Sequence, residues 1–180
     1  MDQLVKSFDH SSFLTNDDID SAISDINKII DAGDYFTNSP KYQTKQNVFQ
    51  LPGIHWTKLR MTFVTSVFAY LGEERKVGNM MAWCFKTNRG TEEDRNTYWH
   101  HHNKHSGQSM SGIMYLHIPD DVQDREYCGT EIAPHGPGGP GKFFVRPTDG
   151  KWLIYPSQTW HRPGIVQSNQ YRFILAVDIE

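Results

Sequence analysis

Cysteine is nearly absent from this chain: Cys84 and Cys128 stand alone among 180 residues. Two thiols so far apart make neither a disulfide framework nor a cysteine-based zinc site, and both are expected to be reduced. No apolar run approaches the roughly 20 residues that a membrane-spanning helix needs, so no membrane partner is expected. The opening MDQLVKSFDH has neither the basic nor the apolar region of a signal peptide, which makes a cytoplasmic location the expectation. An excess of basic charge is missing too. The formal net charge is −3 with lysine and arginine scattered among acids, which is not the footprint of a nucleic-acid binder. Small molecules and protein side chains remain as substrates.

The apolar material that is present suffices for one packed core, and the length suits one domain, residues 1–180. Residues 1–75 read as a buttress of helix and loop. From Thr15 to about Ala32, Ile19, Ala22, Ile23, Ile26, Ile29 and Ile30 recur at helical spacing. Thr15 or Asn16 can cap the start, Asp17 and Asp18 suit the positive end of the dipole, and Gly33 marks the stop. Residues 36–55 are polar and broken by Pro40 and Pro52, a loop with at most one short strand, and a second helix is expected from about Trp56 to Leu71. From Lys76 onward the chain turns to short β-branched and aromatic runs: VGNMMAWCFKTN, TYWHHH, SGIMYLHI, GTEIA, KFFVRP, KWLIYP and YRFILAVDI. Their spacing predicts a mainly β antiparallel sandwich or barrel over residues 76–180. The patch PHGPGGPG at 134–141 reads as a loop between strands, one that could cover a pocket mouth.

One short stretch concentrates chemistry. Trp99-His100-His101-His102-Asn103-Lys104-His105 holds four of the nine histidines in seven residues. Side chains alternate faces along a strand, so His100 and His102 project together and His101 opposite, which is the spacing of metal ligands. Imidazoles suit iron, zinc, copper or nickel, whereas calcium and magnesium prefer oxygen-rich shells. The bland alternative is a solvated polar edge.

A partner for these histidines has to come from elsewhere in the fold. In KWLIYPSQTWHRPGIVQSNQYRFILAVDIE an apolar strand ends at Tyr155-Pro156-Ser157, His161 follows, and Arg172 lies eleven positions further on at the head of the last strand. That arrangement resembles the iron(II)- and 2-oxoglutarate-dependent oxygenases. The stretch from His105 through Ser111-Gly112-Ile113-Met114-Tyr115-Leu116 is similar to a segment of the prolyl-hydroxylase-like members found in bacteria and phages. Ala82-Trp83 resembles the preceding strand, and Gly129-Thr130 the start of the next core strand. The resemblance covers about residues 82–180, and its His161-to-Arg172 half is the most specific part.

The resemblance implies a double-stranded β-helix, a cupin-like jelly roll, with flanking N-terminal helices. It implies iron(II) as cofactor, 2-oxoglutarate as co-substrate and hydroxylation as the reaction. His161 is then the distal metal ligand, and Arg172 and Tyr115 hold the far carboxylate of 2-oxoglutarate. A planar, permanently charged guanidinium is matched to that task. The first ligands follow one of two registers, His105 with Asn103 or His100 with His102. The family pattern is His-X-Asp or His-X-Glu, but no acidic residue lies between Arg95 and Pro119. A set of imidazoles alone leaves more positive charge on the metal. A cupin-like metal-binding module or a three-histidine dioxygenase without 2-oxoglutarate is the competing expectation, and an interaction protein that binds no metal is a third. Arg172 also has a plain alternative, pairing with Asp178. Among the other residues singled out, His117 reads as a polar strand end or a support for the site. Trp99 and Trp160 read as walls against water, Arg162 and Ser157 as substrate contacts, and His10, His55 and His135 as surface positions.

Overall fold

The structure, a computed structural model, describes residues 4–38, 41–89, 99–102, 109–122 and 124–180. In chain order its elements are β1 (Lys6–Asp9), α1 (Asn16–Asp31), β2 (Tyr35–Asn38), β3 (Lys41–Thr44), a 3-10 turn (Val48–Gln50), α2 (Ile54–Leu71), β4 (Met80–Thr87), β5 (Met110–His117), β6 (Thr130–Ala133), β7 (Phe143–Val145), β8 (Lys151–Pro156), β9 (Trp160–Pro163) and β10 (Arg172–Ile179). A seven-stranded sheet runs β1-β8-β5-β10-β4-β3-β2, and a three-stranded sheet runs β7-β6-β9. Every strand pair in both is antiparallel. The mainly β expectation holds, and both helices lie within a residue or two of their expected limits.

α1 starts where the sequence allows its first amides to be satisfied. Thr15 accepts from the Asp18 amide, and the Asp18 carboxylate accepts from the Thr15 amide at 3.0 Å. That carboxylate also takes the Lys58 ammonium at 2.7 Å, which ties α1 to α2. Asp25 makes a second tie, accepting from His55 Nε2 at 3.0 Å and Trp56 Nε1 at 3.2 Å. His55 and His10 are therefore not free surface residues as expected; His10 bonds Ser66 Oγ at 2.7 Å. His135 is exposed. Among the described residues no helix is long and apolar enough to cross a membrane.

Strand alternation sorts the large sheet into two faces. Phe173, Leu175, Val177 and Ile179 of β10, with Cys84, Met114, Trp152 and Ile154 of its neighbours, pack under Ile26, Trp56, Leu59, Phe63 and Val67 of the helices. The intervening residues, including Ile113, Tyr115, Leu153, Tyr155 and Ile174, turn toward Ile132 of the small sheet. At Gly112 only hydrogen fits, because an added Cβ would meet Phe63 Cε2 at 2.5 Å; that gap seats α2 against the centre of the sheet.

Three expectations need correction. The N-terminal buttress is not only helix and loop, since β1 pairs with β8 and the hairpin β2–β3 extends the large sheet beyond β4. β3, one strand in from the edge, is short and mostly half-buried, so Lys41-Tyr42-Gln43-Thr44 carries no apolar alternation to betray it. TYWHHH is not a full strand among the described residues; His100 alone pairs, in an isolated bridge to His161. Conversely, Trp160–Pro163, outside the expected strand runs, forms β9 against β6.

Candidate functional site

Between the two sheets lies a cavity of about 380 Å³. The inward face of β10 runs along it from Arg172 through Ile174 and Ala176 to Asp178. Polar groups gather at the two ends of that line.

At the Asp178 end sit the histidines. His100 and His161 exchange backbone hydrogen bonds of 3.1 and 2.9 Å, and the His102 amide donates to the Ser157 carbonyl at 2.8 Å, so the segment is pinned beside β9. The rings of His100 and His161 lie 4.3 Å apart and those of His102 and His161 5.1 Å. His101 points the other way, edge-on to Trp160 at 4.3 Å. One ligand atom from each of His100, His102 and His161 lies within 4.8 Å of the others.

Hydrogen bonding fixes which ring nitrogens are free. His161 Nδ1 lies 2.8 Å from the Thr159 carbonyl, which can only accept, so Nδ1 carries the proton and Nε2 keeps its lone pair. His102 Nδ1 is 2.6 Å from both Asp178 oxygens and donates to the carboxylate, which leaves its Nε2 free as well. Ser111, directly opposite Asp178 on β5, donates to Asp178 Oδ1 at 2.6 Å and lies 3.0 Å from Ser157 Oγ. Burial, then the nearby His100, holds the His161 pKa down at about 3, so this imidazole is neutral at neutral pH. Three imidazoles about 2.1 Å from a tetrahedral ion have their ligand atoms about 3.4 Å apart, so the cluster, with its ligand atoms within 4.8 Å of one another, closes with shifts of up to about 0.8 Å in each ring. Three imidazoles whose ligand atoms converge, one of them backed by a carboxylate, are chemically a transition-metal site. The donor set fits iron(II).

At the other end Arg172 is buried, only 2% exposed. Its Nη1 donates to the carbonyls of Cys128 and, at 3.1 Å, Gly164. Gly164 is glycine because an added Cβ would run into the Tyr127 and Gly129 carbonyl oxygens. Arg172 Nε is buried without a hydrogen-bond partner, and no carboxylate among the described residues pairs with the guanidinium. The plain alternative, an Arg172–Asp178 pair, is thus not what forms; Asp178 serves His102.

The other singled-out residues divide. His105 and Asn103 lie outside the described residues. Tyr115 is fully buried, with its hydroxyl 2.6 Å from Thr130 Oγ1, and burial pushes its pKa up to about 12. Thr130, not Tyr115, lines the cavity. Trp99 lines it too, with the Arg162 guanidinium 4.4 Å above its ring; Arg162 also donates to Glu131 at 2.7 Å. Trp160 packs on His101, and His117 lies at the end of β5, with its ring 6.5 Å from that of Phe173. Sequence reasoning missed Asp178, Ser111, Lys41 and Thr87 as cavity residues. Asp178 had a usable signal, since it shares the even-numbered face of the last strand with Arg172.

No family model matches the sequence, and no curated protein matches it. Solved structures do. The non-haem α-ketoglutarate-dependent carbocyclase SnoK from nogalamycin biosynthesis superposes with a TM-score of 0.73 at 10% identity, over 99% of this chain and 79% of that one. A prolyl hydroxylase from Trichoplax adhaerens, in complex with a hypoxia inducible factor peptide, gives 0.66 at 12% identity, over 98% and 83%. The viral collagen prolyl hydroxylase from Paramecium bursaria Chlorella virus-1, a 2-oxoglutarate complex, gives 0.60 at 16% identity, over 98% and 96%. The chain has the double-stranded β-helix fold of these oxygenases.

Proposed function

We propose that the protein is a non-haem iron oxygenase that couples oxidative decarboxylation of 2-oxoglutarate to hydroxylation of a small molecule or a protein side chain. One observation carries the reading: a single cavity has three imidazoles at one end and, at the other, a buried arginine whose Nε lacks a partner. Likeness in fold to 2-oxoglutarate enzymes supports it.

His100, His102 and His161 would hold the iron. Bound there with 2-oxoglutarate, iron(II) would supply activation of dioxygen and oxidation of a C–H bond, with succinate and carbon dioxide as the other products. The protein's own part is orientation and exclusion of water. Thr159 and Asp178 keep a proton on the rear nitrogens of His161 and His102, so each ring presents a lone pair in a fixed direction. Arg172 supplies a permanent charge and an unsatisfied donor for the distal carboxylate. Trp83, Trp99 and Tyr155 wall the histidine end, where exposed His100 marks the side from which substrate enters.

The test is anaerobic addition of iron(II) and 2-oxoglutarate, followed by exposure to air. A weak visible charge-transfer band and then succinate are expected. The all-imidazole cluster also suits the second reading, a three-histidine dioxygenase or cupin-like module without 2-oxoglutarate. Stoichiometric iron with no band and no succinate would select it.

A further inference from the structure

Arg172 is not the only cation at its end of the cavity. On the large sheet Arg172 lies directly opposite Thr87 of β4, and Thr87 lies directly opposite Lys41 of β3. Residues opposite one another in antiparallel strands share a face, so the three form one row across the sheet. All three line the cavity. With strands about 4.8 Å apart, the backbones of Lys41 and Arg172 are about 10 Å apart, a gap that two long side chains readily span.

Two buried atoms in this row lack partners: Arg172 Nε and Thr87 Oγ1, on residues 2% and 7% exposed. Buried donors without acceptors are costly, and here both belong to residues lining the same cavity. The Lys41 ammonium lies 4.2 Å over the ring of Phe85, another lining residue. Burial first, then the charge of Arg172, brings the Lys41 pKa down to about 8, which places the two cations in electrostatic contact. A group with two acceptor oxygens and negative charge answers all of this at once. It accepts from Nε–H and from the threonine hydroxyl, and it relieves the repulsion between the cations.

We propose that Lys41, Thr87 and Arg172 together form the seat for the distal carboxylate of the co-substrate, and that Lys41 sets the preference for a dicarboxylic over a monocarboxylic 2-oxo acid. The proposal rests on the oxygenase reading but adds two residues to it, one of them from the N-terminal hairpin. In this seat Thr87, in the same row as Arg172, provides the hydroxyl that Tyr115, bonded to Thr130, does not bring to the cavity lining.

The experiment is calorimetric titration of the manganese(II)-loaded protein with 2-oxoglutarate and with pyruvate, which lacks the distal carboxylate. Lys41→Met is expected to weaken 2-oxoglutarate binding about tenfold, with pyruvate unchanged and Lys41→Arg restoring most of the loss. Thr87→Val is expected to weaken it about threefold, with Thr87→Ser close to wild type. If Lys41→Met binds 2-oxoglutarate as wild type does while Arg172→Met does not, the three-residue seat is wrong and the oxygenase reading stands. Equal loss for both acids would overturn the seat as well, since it would show a general effect on the scaffold. Failure of the wild type to bind 2-oxoglutarate would overturn both. Should Lys41→Met unfold, the Thr87 pair decides on the same criteria.

Discussion

The two ends of the cavity differ in how their polar atoms are satisfied. At the histidine end His161 and His102 have their rear nitrogens bonded, by a carbonyl and by a carboxylate that is itself held by Ser111. At the arginine end the chain stops short: Nη1 is gripped by two carbonyls, yet Arg172 Nε and Thr87 Oγ1 are left open. The first end is organised before anything binds. The second is organised except for the atoms a ligand would meet. This contrast separates a place built to fix direction from one built to take up charge.

Substitutions that strike one end and spare the other test that division. His161→Ala removes a buried ligand atom on which both other rings converge, and iron content measured by atomic absorption should fall from about one per chain to near zero. Arg172→Met should leave iron content intact while weakening 2-oxoglutarate binding about a hundredfold by calorimetry, the loss of a charged, buried donor pair. Were Arg172→Met to lose iron too, the ends would not be independent. Asp178→Asn keeps the shape but removes the charge behind His102, and iron affinity in a chelator competition should drop about tenfold.

Between pH 7 and pH 9 the arginine end should respond to acidity through Lys41. Lys41 in the ligand-free protein is protonated below about pH 8 and neutral above it. Its charge attracts a carboxylate, so 2-oxoglutarate affinity should decline as pH rises through that value, while Arg172, the other cation facing it, stays charged throughout. Titrations at pH 7 and pH 9 should differ by about three- to tenfold, and Lys41→Met should flatten the difference. The smallest effect belongs to His105→Ala, which should leave iron content unchanged if His100 and His102 are the first ligands.

Much of this was legible in the sequence because it rests on local pattern. The isoleucines of α1 and its Thr15 cap, the β-rich runs of β4, β5, β8 and β10, and the His161-to-Arg172 spacing all follow from periodicity and turn residues. What stayed hidden depends on pairing across long distances. Lys41 sits in a polar four-residue strand whose place is set by β4, more than 40 residues later, and nothing near Lys41 announces it. β9 is four residues ending in proline, held by β6 and by the His100 bridge. Asp178 is the penultimate residue of the final strand, and only the fold brings it to His102.

One strand carries both ends of the cavity: Arg172 opens β10 and Asp178 stands six residues on, about 20 Å along the same face. β10 is therefore a ruler, clamped between β4 and β5 over most of its length. Inserting a single residue between the two would leave the guanidinium in place and swing the carboxylate through the sheet to the helices. An evolving chain can consequently recut the cavity walls and loops freely, but the length of this measure is fixed in whole pleats.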